Sequence, residues 1–506
     1  MKTFYITTTL PYVNAEPHIG FAMELIQADV IARYHAQMGE EVVFNTGTDE
    51  HGVKIYSKAI EQGKDPQDYV DEYAEKFKDL VKVLNLSSTN FIRTTDNHHK
   101  KSAQEFWNRC LANGDIYKAS YRIKYCTGCE LEKTDSELVD GKCGLHPNLQ
   151  IEEREEENYF FKFSKFQKPL LKFYEDNPTF VLPDFRFNEI KKFVESGLND
   201  FSISRLKSKM PWGIEVPGDP DQVIYVWFDA LINYVSTLGW PFDSAQGKPD
   251  MFSDFWPGTQ VAGKDNLRQQ SAIWQAMLMS AGLPNSKQIL IHGFINIDGQ
   301  KMSKSLGNVT NPFPLVEKYG VDVLRYFLLR EIPSTEDGDF SEEKLVARYN
   351  GDLANGLGNL VARVATLLSN NFNDGLEFDD KLVDSETNQV IQDFLTKYQA
   401  SIENFKLHEA LIAIWELIAR ADKYVNDNKP WALVKGDMEK FKIVMTNLVE
   451  MIYHITKSLA PFMPETSEKI ATVFGFDSAI SERKGGLEGR RYKIQKGAIL
   501  FPRLEP

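Results

Sequence analysis

Apolar positions change rhythm several times along the chain. Residues 3–10 are rich in β-formers. Residues 20–38 then repeat apolar side chains at helical spacing (Ala22, Leu25, Ile26, Val30, Ile31, Tyr34), and Glu41–Thr46 is β-rich again. Strand, helix and strand with turn residues between them predict a parallel α/β unit. Residues 116–225 break that rhythm with cysteines, an acidic run from Glu152 to Glu157 and aromatic pairs. The α/β pattern returns over 224–300, with Ile289–Ile291 a predicted strand. From about 345 the chain repeats apolar residues at three and four in "LVARVATLLSNNF", "QDFLTKYQASIENF", "ALIAIWELIARADKYV" and "KIVMTNLVEMIYHITKSLA", which predicts a helical bundle. The pattern divides the chain into 1–115, 116–223, 224–296, 297–345 and 346–506. "DSAQGKPD" (243–250) reads as a surface insertion.

A chain of 506 residues is too long for one core. Its 42% hydrophobic and 26% charged residues fit a soluble globular protein, and no apolar run approaches the ~18 residues of a membrane span. The first residues are too short an apolar stretch for a signal peptide. Four cysteines argue against a disulfide scaffold and for a reducing compartment, so a cytoplasmic location is expected. The net charge of −14 excludes a non-specific nucleic-acid coat but leaves room for a local basic face. Residues 346–506 carry 20 Lys/Arg against 22 Asp/Glu, so the acidity lies upstream.

The sharpest chemical signal is "YCTGCELEKTDSELVDGKCGLH". Cys126 and Cys129 are separated by two residues, thirteen follow, and Cys143 and His146 are again separated by two. Two short knuckles of this kind supply the four ligands of a tetrahedral zinc. Buried free thiols are the bland reading, but three of the four cysteines fall in one 18-residue window. With four protein ligands, no position is left for water, so one structural Zn²⁺ per chain is expected. Cys110 lies outside the pattern and reads as a small core residue.

Two further stretches belong together. "PHIGFAME" (17–24) reads as a tight turn into a helix amino terminus, and "DGQKMSKSLGN" (298–308) as a cationic loop able to neutralise a triphosphate. Alone, the second would pass for a solvated turn. A His-x-Gly turn with K-M-S-K-S resembles the class I aminoacyl-tRNA synthetases. "TTTLPYVNAEPHIG", "TGTDEHG", "FIRTTD", "EEENYFF", "FSISR", "YVWFDALINY" and "HGFINIDGQKMSKS" narrow the resemblance to the methionyl-tRNA synthetase family. The resemblance covers essentially the whole chain, down to an ending, "LFPRLEP", similar to that family's terminal strap.

The resemblance implies a Rossmann-like parallel sheet split by a zinc-binding insertion, a K-M-S-K-S region, and an α-helical anticodon-binding bundle. It implies that Asp49 holds the methionine ammonium with Arg205 as its orienting partner. Leu10, Tyr12, Trp227, Ala230, Tyr234 and Trp274 would wall the methionine pocket, where an aromatic box suits a polarisable thioether. His18 and Gly20, with Gly263, Lys264 and Asp265 near the ribose and Lys301, Ser303 and Lys304 on the mobile loop, would hold ATP. Asn355, Asn359 and Arg363, four apart on one helix face, and Trp431 after Pro430 would read the anticodon by base-edge hydrogen bonds and stacking. Without the family position, such residues are usually a wet face and core aromatics.

Phe21 stands where the family has a second histidine, and Phe cannot donate a hydrogen bond. Gln269 and Gln270 stand where many relatives carry an aromatic or proline and then a histidine. The expectation is a methionine–tRNA ligase using ATP, Mg²⁺, L-methionine and tRNA(Met), acting as a monomer away from membranes. The runners-up are a tRNA-binding paralogue without catalysis and another class I ligase.

Overall fold

The computed structural model describes residues 2–129, 131–133, 138–241, 251–302, 308–372, 375–476, 491–492, 494–495 and 499–505. Its centre is a six-stranded sheet of β1 (Thr3–Thr8), β2 (Glu41–Thr48), β3 (Asn90–Arg93), β4 (Val181–Leu182), β5 (Thr259–Gly263) and β6 (Gln288–His292). The order across it is β3-β2-β1-β5-β6-β4, and every pair is parallel. The order reverses between β1 and β5, and in open sheets of this kind ligands bind outside the carboxyl ends at such a point. The expected strands at 3–10, 41–46 and 289–291 all fall in this sheet.

Helix α1 (Ile19–Gln37) follows β1 and is buried nearly all round, which explains an apolar content too even for a surface helix. Helix α2 (Asn97–Ala112) leads into the insertion. There Ile116–Cys126 runs antiparallel to Glu152–Phe161, pairing Ile116 with Phe161 and Tyr125 with Glu152. The acidic run that breaks the sequence rhythm is therefore a strand, with Glu153 opposite Lys124 in register. The segment containing the four expected metal ligands connects the far ends of this ribbon.

Past the sheet, α3 (Val321–Arg330) leads to the bundle of α4 (Asn359–Asn371), α5 (Ser385–Glu403), α6 (Leu407–Asn428), α7 (Met438–Leu459) and α8 (Pro464–Phe474). These contain the four stretches of helical periodicity. One apolar cluster runs from Ile19, Ile26 and Val30 of α1 through Leu324 of α3 to Leu411, Leu448 and Phe474 of the bundle. At its centre Asp29 and Arg325, both fully buried, pair at 2.6 Å. Arg325 also donates to the carbonyls of Phe462 (2.8 Å), Pro461 (2.8 Å) and Leu84 (3.2 Å). The C-terminal segment folds back onto the stretch before α4, where Asn350 exchanges hydrogen bonds of 3.0 and 3.1 Å with the Leu504 backbone. The expected insertion at 243–250 lies outside the described residues.

Candidate active site

A cleft of about 510 Å³ opens at the carboxyl ends of β1, β2, β5 and β6, on both sides of the switch point. The loop after β1 is fastened to the loop after β2. Asp49 N–H donates to the Pro11 carbonyl at 3.0 Å, and Val13 N–H donates to the Asp49 carbonyl at 3.2 Å. This sets Tyr12 beside Asp49 at the mouth. The neighbours of Asp49 turn elsewhere. Glu50, fully buried, accepts from Arg93 Nε at 2.7 Å and Nη2 at 2.9 Å and from Thr48 Oγ1 at 2.6 Å. His51 reaches Asp229 in the interior. Asp49 is the one acid of this trio that lines the cleft.

Leu10, Trp227, Ala230 and Tyr234 complete one wall. Tyr234 is buried, its hydroxyl accepts from Gln270 Nε2 at 2.7 Å, and burial pushes its pKa up, so it stays protonated. Gln270 is fixed in turn, because its Oε1 accepts from Gln260 Nε2 at 3.1 Å. Gln270 lines the cleft and Gln269 does not. Trp274, expected as a wall, does not line the cleft either. The helix it begins faces an apolar cluster, so its ring packs behind Tyr234 at 5.7 Å and stacks on Phe106. Arg205 is also outside the lining. It donates to Ser202 Oγ (2.8 Å) and the Ser204 carbonyl (2.7 Å) and lies over the Tyr225 ring at 4.3 Å.

The other end of the cleft meets the amino terminus of α1. His18 is the N-cap, and its Nδ1 accepts from Phe21 N–H at 3.3 Å, which puts the ring proton on Nε2. Ile19 N–H donates to the Thr310 carbonyl at 3.0 Å, so the chain just past the K-M-S-K-S loop is tied to this turn. Gly20 sits under Met302, and a Cβ on it would come within 3.2 Å of the Met302 methyl. Phe21 lines the cleft and packs edge-on against Phe77 at 5.7 Å. Gly263 and Asp265 line the cleft. Lys264 does not, because the turn Lys264–Asn266 directs it to Asp337 (2.6 Å) and over the Phe294 ring (4.4 Å). Lys301 belongs to a short strand pairing with Asn296, while Ser303 and Lys304 lie outside the described residues.

Glu24 and His292 were not singled out from sequence. Glu24 accepts from Thr9 N–H (2.8 Å) and Thr9 Oγ1 (2.5 Å), and its other oxygen accepts from His292 Nε2 (2.9 Å). His292 Nδ1 donates to the Gly293 carbonyl at 2.7 Å, so both ring nitrogens donate. Burial opposes the charged ring, but the Glu24 carboxylate outweighs it and raises the His292 pKa. An acid between Met23 and Leu25 on a buried helix was the available signal.

Cys126, Cys129, Cys143 and His146 come together, with all four ligand atoms within 4.8 Å of one another. Cys129 Sγ lies 3.3 Å from Cys143 Sγ and 3.2 Å from His146 Nδ1, and the Cys126 and Cys143 sulfurs are each 3.9 Å from that nitrogen. Metal bonds of about 2.0–2.3 Å in a tetrahedron give ligand separations of this size. Burial alone would raise the Cys143 thiol, yet hydrogen bonds from His146 and Cys129 bring it down to about 6. Gly128 is required, because a Cβ there would come within 2.3 Å of the His146 ring. The group could hold a metal ion. It also abuts the cleft: Cys129 lines it, and Lys54 Nζ donates to the Gly128 carbonyl at 2.5 Å.

In the bundle Asn355, Asn359 and Trp431 are exposed. Asn355 sits in a π-helical stretch (Tyr349–Gly358) and Asn359 begins α4, so the three expected readers do not share one regular helix. Arg363 is held by Asp422 at 2.6 Å and Asn426 at 2.8 Å, two partners on α6 that sequence reasoning missed.

The profile of the family described as tRNA synthetases class I (M) matches residues 4–153 and 133–365, and that of the anticodon-binding domain of tRNA ligase matches 380–486. The chain is 46% identical over 486 residues to the methionine–tRNA ligase of Thermotoga maritima, covering 95% of this chain and 76% of that protein. It is 41% identical over 514 residues to that of Caldanaerobacter subterraneus subsp. tengcongensis, covering 100% and 79%. Among solved structures, Mycobacterium tuberculosis methionyl-tRNA synthetase in complex with methionyl-adenylate superposes with a TM-score of 0.92 at 36% identity, covering 99% of this chain and 100% of that one.

The His292–Glu24 pair makes stability depend on pH. A histidine whose folded pKa is raised above its ordinary 6.5 stabilises fully below that value and loses the contribution as pH rises through the folded pKa. Urea midpoints of the wild type should therefore fall as pH rises above about 6.5 and through the raised folded pKa, and His292→Gln should flatten that slope. Equal slopes in both proteins would show that the ring is neutral.

Proposed function

The chain belongs to the methionyl-tRNA synthetases of class I, and we propose how its own residues divide the family's two-step reaction. It is an ATP-dependent methionine–tRNA ligase: it activates L-methionine to methionyl-adenylate with release of pyrophosphate, then transfers the methionyl group to tRNA(Met). The observation that carries the assignment of roles is the meeting, in one cleft, of Asp49, an aromatic wall and the His18–Gly20 turn.

Asp49 receives the methionine α-ammonium by a charge-assisted hydrogen bond. Leu10, Tyr12, Trp227, Ala230 and Tyr234 surround the side chain, with Trp274 bracing Tyr234 from behind. The Tyr234 hydroxyl, accepting from Gln270, keeps its own proton for the thioether sulfur. Gln270 thus does polar work at the position where relatives carry histidine. Arg205 acts from outside the cleft wall.

His18 Nε2–H faces the phosphate chemistry, and Gly20 lets ATP approach the start of α1. Gly263 and Asp265 hold the ribose, with Lys264 anchoring their turn to Asp337. Lys301, Ser303 and Lys304 would neutralise the triphosphate, and Mg²⁺ bound with ATP would supply further positive charge. The methionine carboxylate attacks the α-phosphate, and the enzyme contributes position and charge neutralisation, with no covalent intermediate. Cys126, Cys129, Cys143 and His146 would hold one structural Zn²⁺, which would fasten the tip of the insertion. None of the four cysteines forms a disulfide, and we assign the chain to the reducing cytoplasm. Asn355, Asn359, Arg363 and Trp431 read the anticodon, Trp431 by stacking.

Pyrophosphate exchange into ATP with each of the twenty amino acids tests the reading. Methionine alone should support exchange. Trp431→Ala should keep exchange near the wild-type rate and lower aminoacylation at least tenfold, about 1.4 kcal/mol. Exchange with another amino acid, or none with any, would favour a different class I ligase or a paralogue without catalysis.

Metal analysis of the purified chain should return about one zinc, and Cys129→Ser should lose it. Full retention of zinc in that variant would remove the proposed site.

Phe21 fills space beside Phe77, and its backbone N–H rather than its ring engages His18. Phe21→His should therefore cost about 1 kcal/mol of stability and leave exchange within a few-fold of wild type, read from melting temperature and exchange rate. A stable variant with no exchange would mean that the side chain at 21 takes part in the reaction and does not merely fill space.

A further inference from the structure

A second polar cluster lies behind the cleft, and the roles proposed above leave it unused. The Asp229 carboxylate is fully buried, and each of its oxygens accepts from a different histidine. His51 Nδ1 reaches Oδ2 at 2.6 Å, and His99 Nε2 reaches Oδ1 at 2.8 Å. His99 Nδ1 lies 2.9 Å from Ser236 Oγ. His51 and His99 are themselves almost wholly buried.

The cluster joins segments that the cleft needs to hold at one spacing. His51 is two residues after Asp49 on the loop from β2. Asp229 stands between Trp227 and Ala230 on the short helix Val226–Leu231, and Ser236 ends the next one, Asn233–Ser236, which carries Tyr234. His99 comes from α2. The His51 ring also rests against Trp212 at 5.7 Å, and Trp212 Nε1 donates to the Glu50 carbonyl at 2.6 Å. One carboxylate therefore ties the acid at one side of the cleft to the apolar wall at the other. Charge-assisted hydrogen bonds in a water-free interior are short and directional, and a binding group must be held to a fraction of an ångström to be useful.

We propose that Asp229, held by His51 and His99, is a positioning residue that sets the distance between Asp49 and the Trp227–Ala230–Tyr234 wall, and so the length of amino-acid side chain the cleft accepts. The inference rests on the proposed methionine site. It places no new group on substrate.

Two substitutions at His51 separate positioning from folding. His51→Phe keeps a ring against Trp212 and removes the donor, whereas His51→Asn keeps a donor near the place of Nδ1. Exchange kinetics on the full chain should show the methionine KM of His51→Phe raised at least about tenfold, with the ATP KM within about twofold of wild type. His51→Asn should recover most of the methionine KM. A folded His51→Phe with unchanged methionine KM, or equal rises in both KM values, would overturn the proposal. Should His51→Phe fail to fold, the wild type decides. In protein labelled with ¹⁵N-histidine, ring signals assigned to His51 by their loss in His51→Asn should move on adding methionine and stay on adding ATP. No movement with methionine would overturn it. A wild type with no methionine-dependent exchange would instead fail the proposed site itself, an outcome these two readings keep apart.

Discussion

The buried pair of Asp29 and Arg325 is the constraint on which the arrangement of the molecule turns. Two charges out of water are costly, and they are tolerated because each is fully engaged. Asp29 accepts from Arg325, from Arg33 and from Ser87, and Arg325 spends its remaining donors on three backbone carbonyls. Burial by itself would raise the Asp29 carboxyl, yet Arg325 and Arg33 hold it below the ordinary range. Removing one partner of such a pair typically costs about 3–5 kcal/mol. The pair joins the middle of α1 to the turn between α7 and α8. The helix that begins at the His18 turn is thereby fastened to the bundle.

The same helix explains how the turn accommodates the Phe21 ring. The first turn of α1 is organised by backbone and by His18, not by side chain 21. Ile19 N–H is committed to Thr310 and Phe21 N–H to His18, while Met302 covers Gly20. An aromatic ring packed on Phe77 supports that geometry from one side. The Phe21 side chain thus contributes packing and no hydrogen bond.

Much of this was legible in the sequence where the signal is local. Period-two and period-3.6 patterns marked the sheet and the bundle, and the knuckle spacing marked a ligand set that the fold brings within bonding range. The H-x-G turn and the stretch around Trp227 were legible because motif and cleft coincide. What escaped depends on partners far along the chain. Lys264 looked like a nucleotide ligand until Asp337 claimed it. Trp274 looked like a wall, but Phe106 and Tyr234 draw its ring one layer back. The dyad of Glu24 and His292 joins residues on opposite sides of the switch point, and Arg325 meets carbonyls contributed by distant turns. Pattern along a chain carries no information on which buried donor will find which acceptor.

The insertion shows how such distant meetings build a site. Its ribbon leaves the sheet after α2, yet the metal-ligand tip returns to the cleft, where Lys54 Nζ meets the Gly128 carbonyl and Cys129 forms part of the lining. Lys54 stands only a few residues past Asp49, at the start of the helix Val53–Glu61. Order in the knuckle therefore bears directly on the loop that carries Asp49. A metal on these four residues would shape the cleft, because Cys129 is part of its lining. Its physical role would be to make a loop stiff enough to serve as a boundary, which an apolar core cannot do for a segment this short.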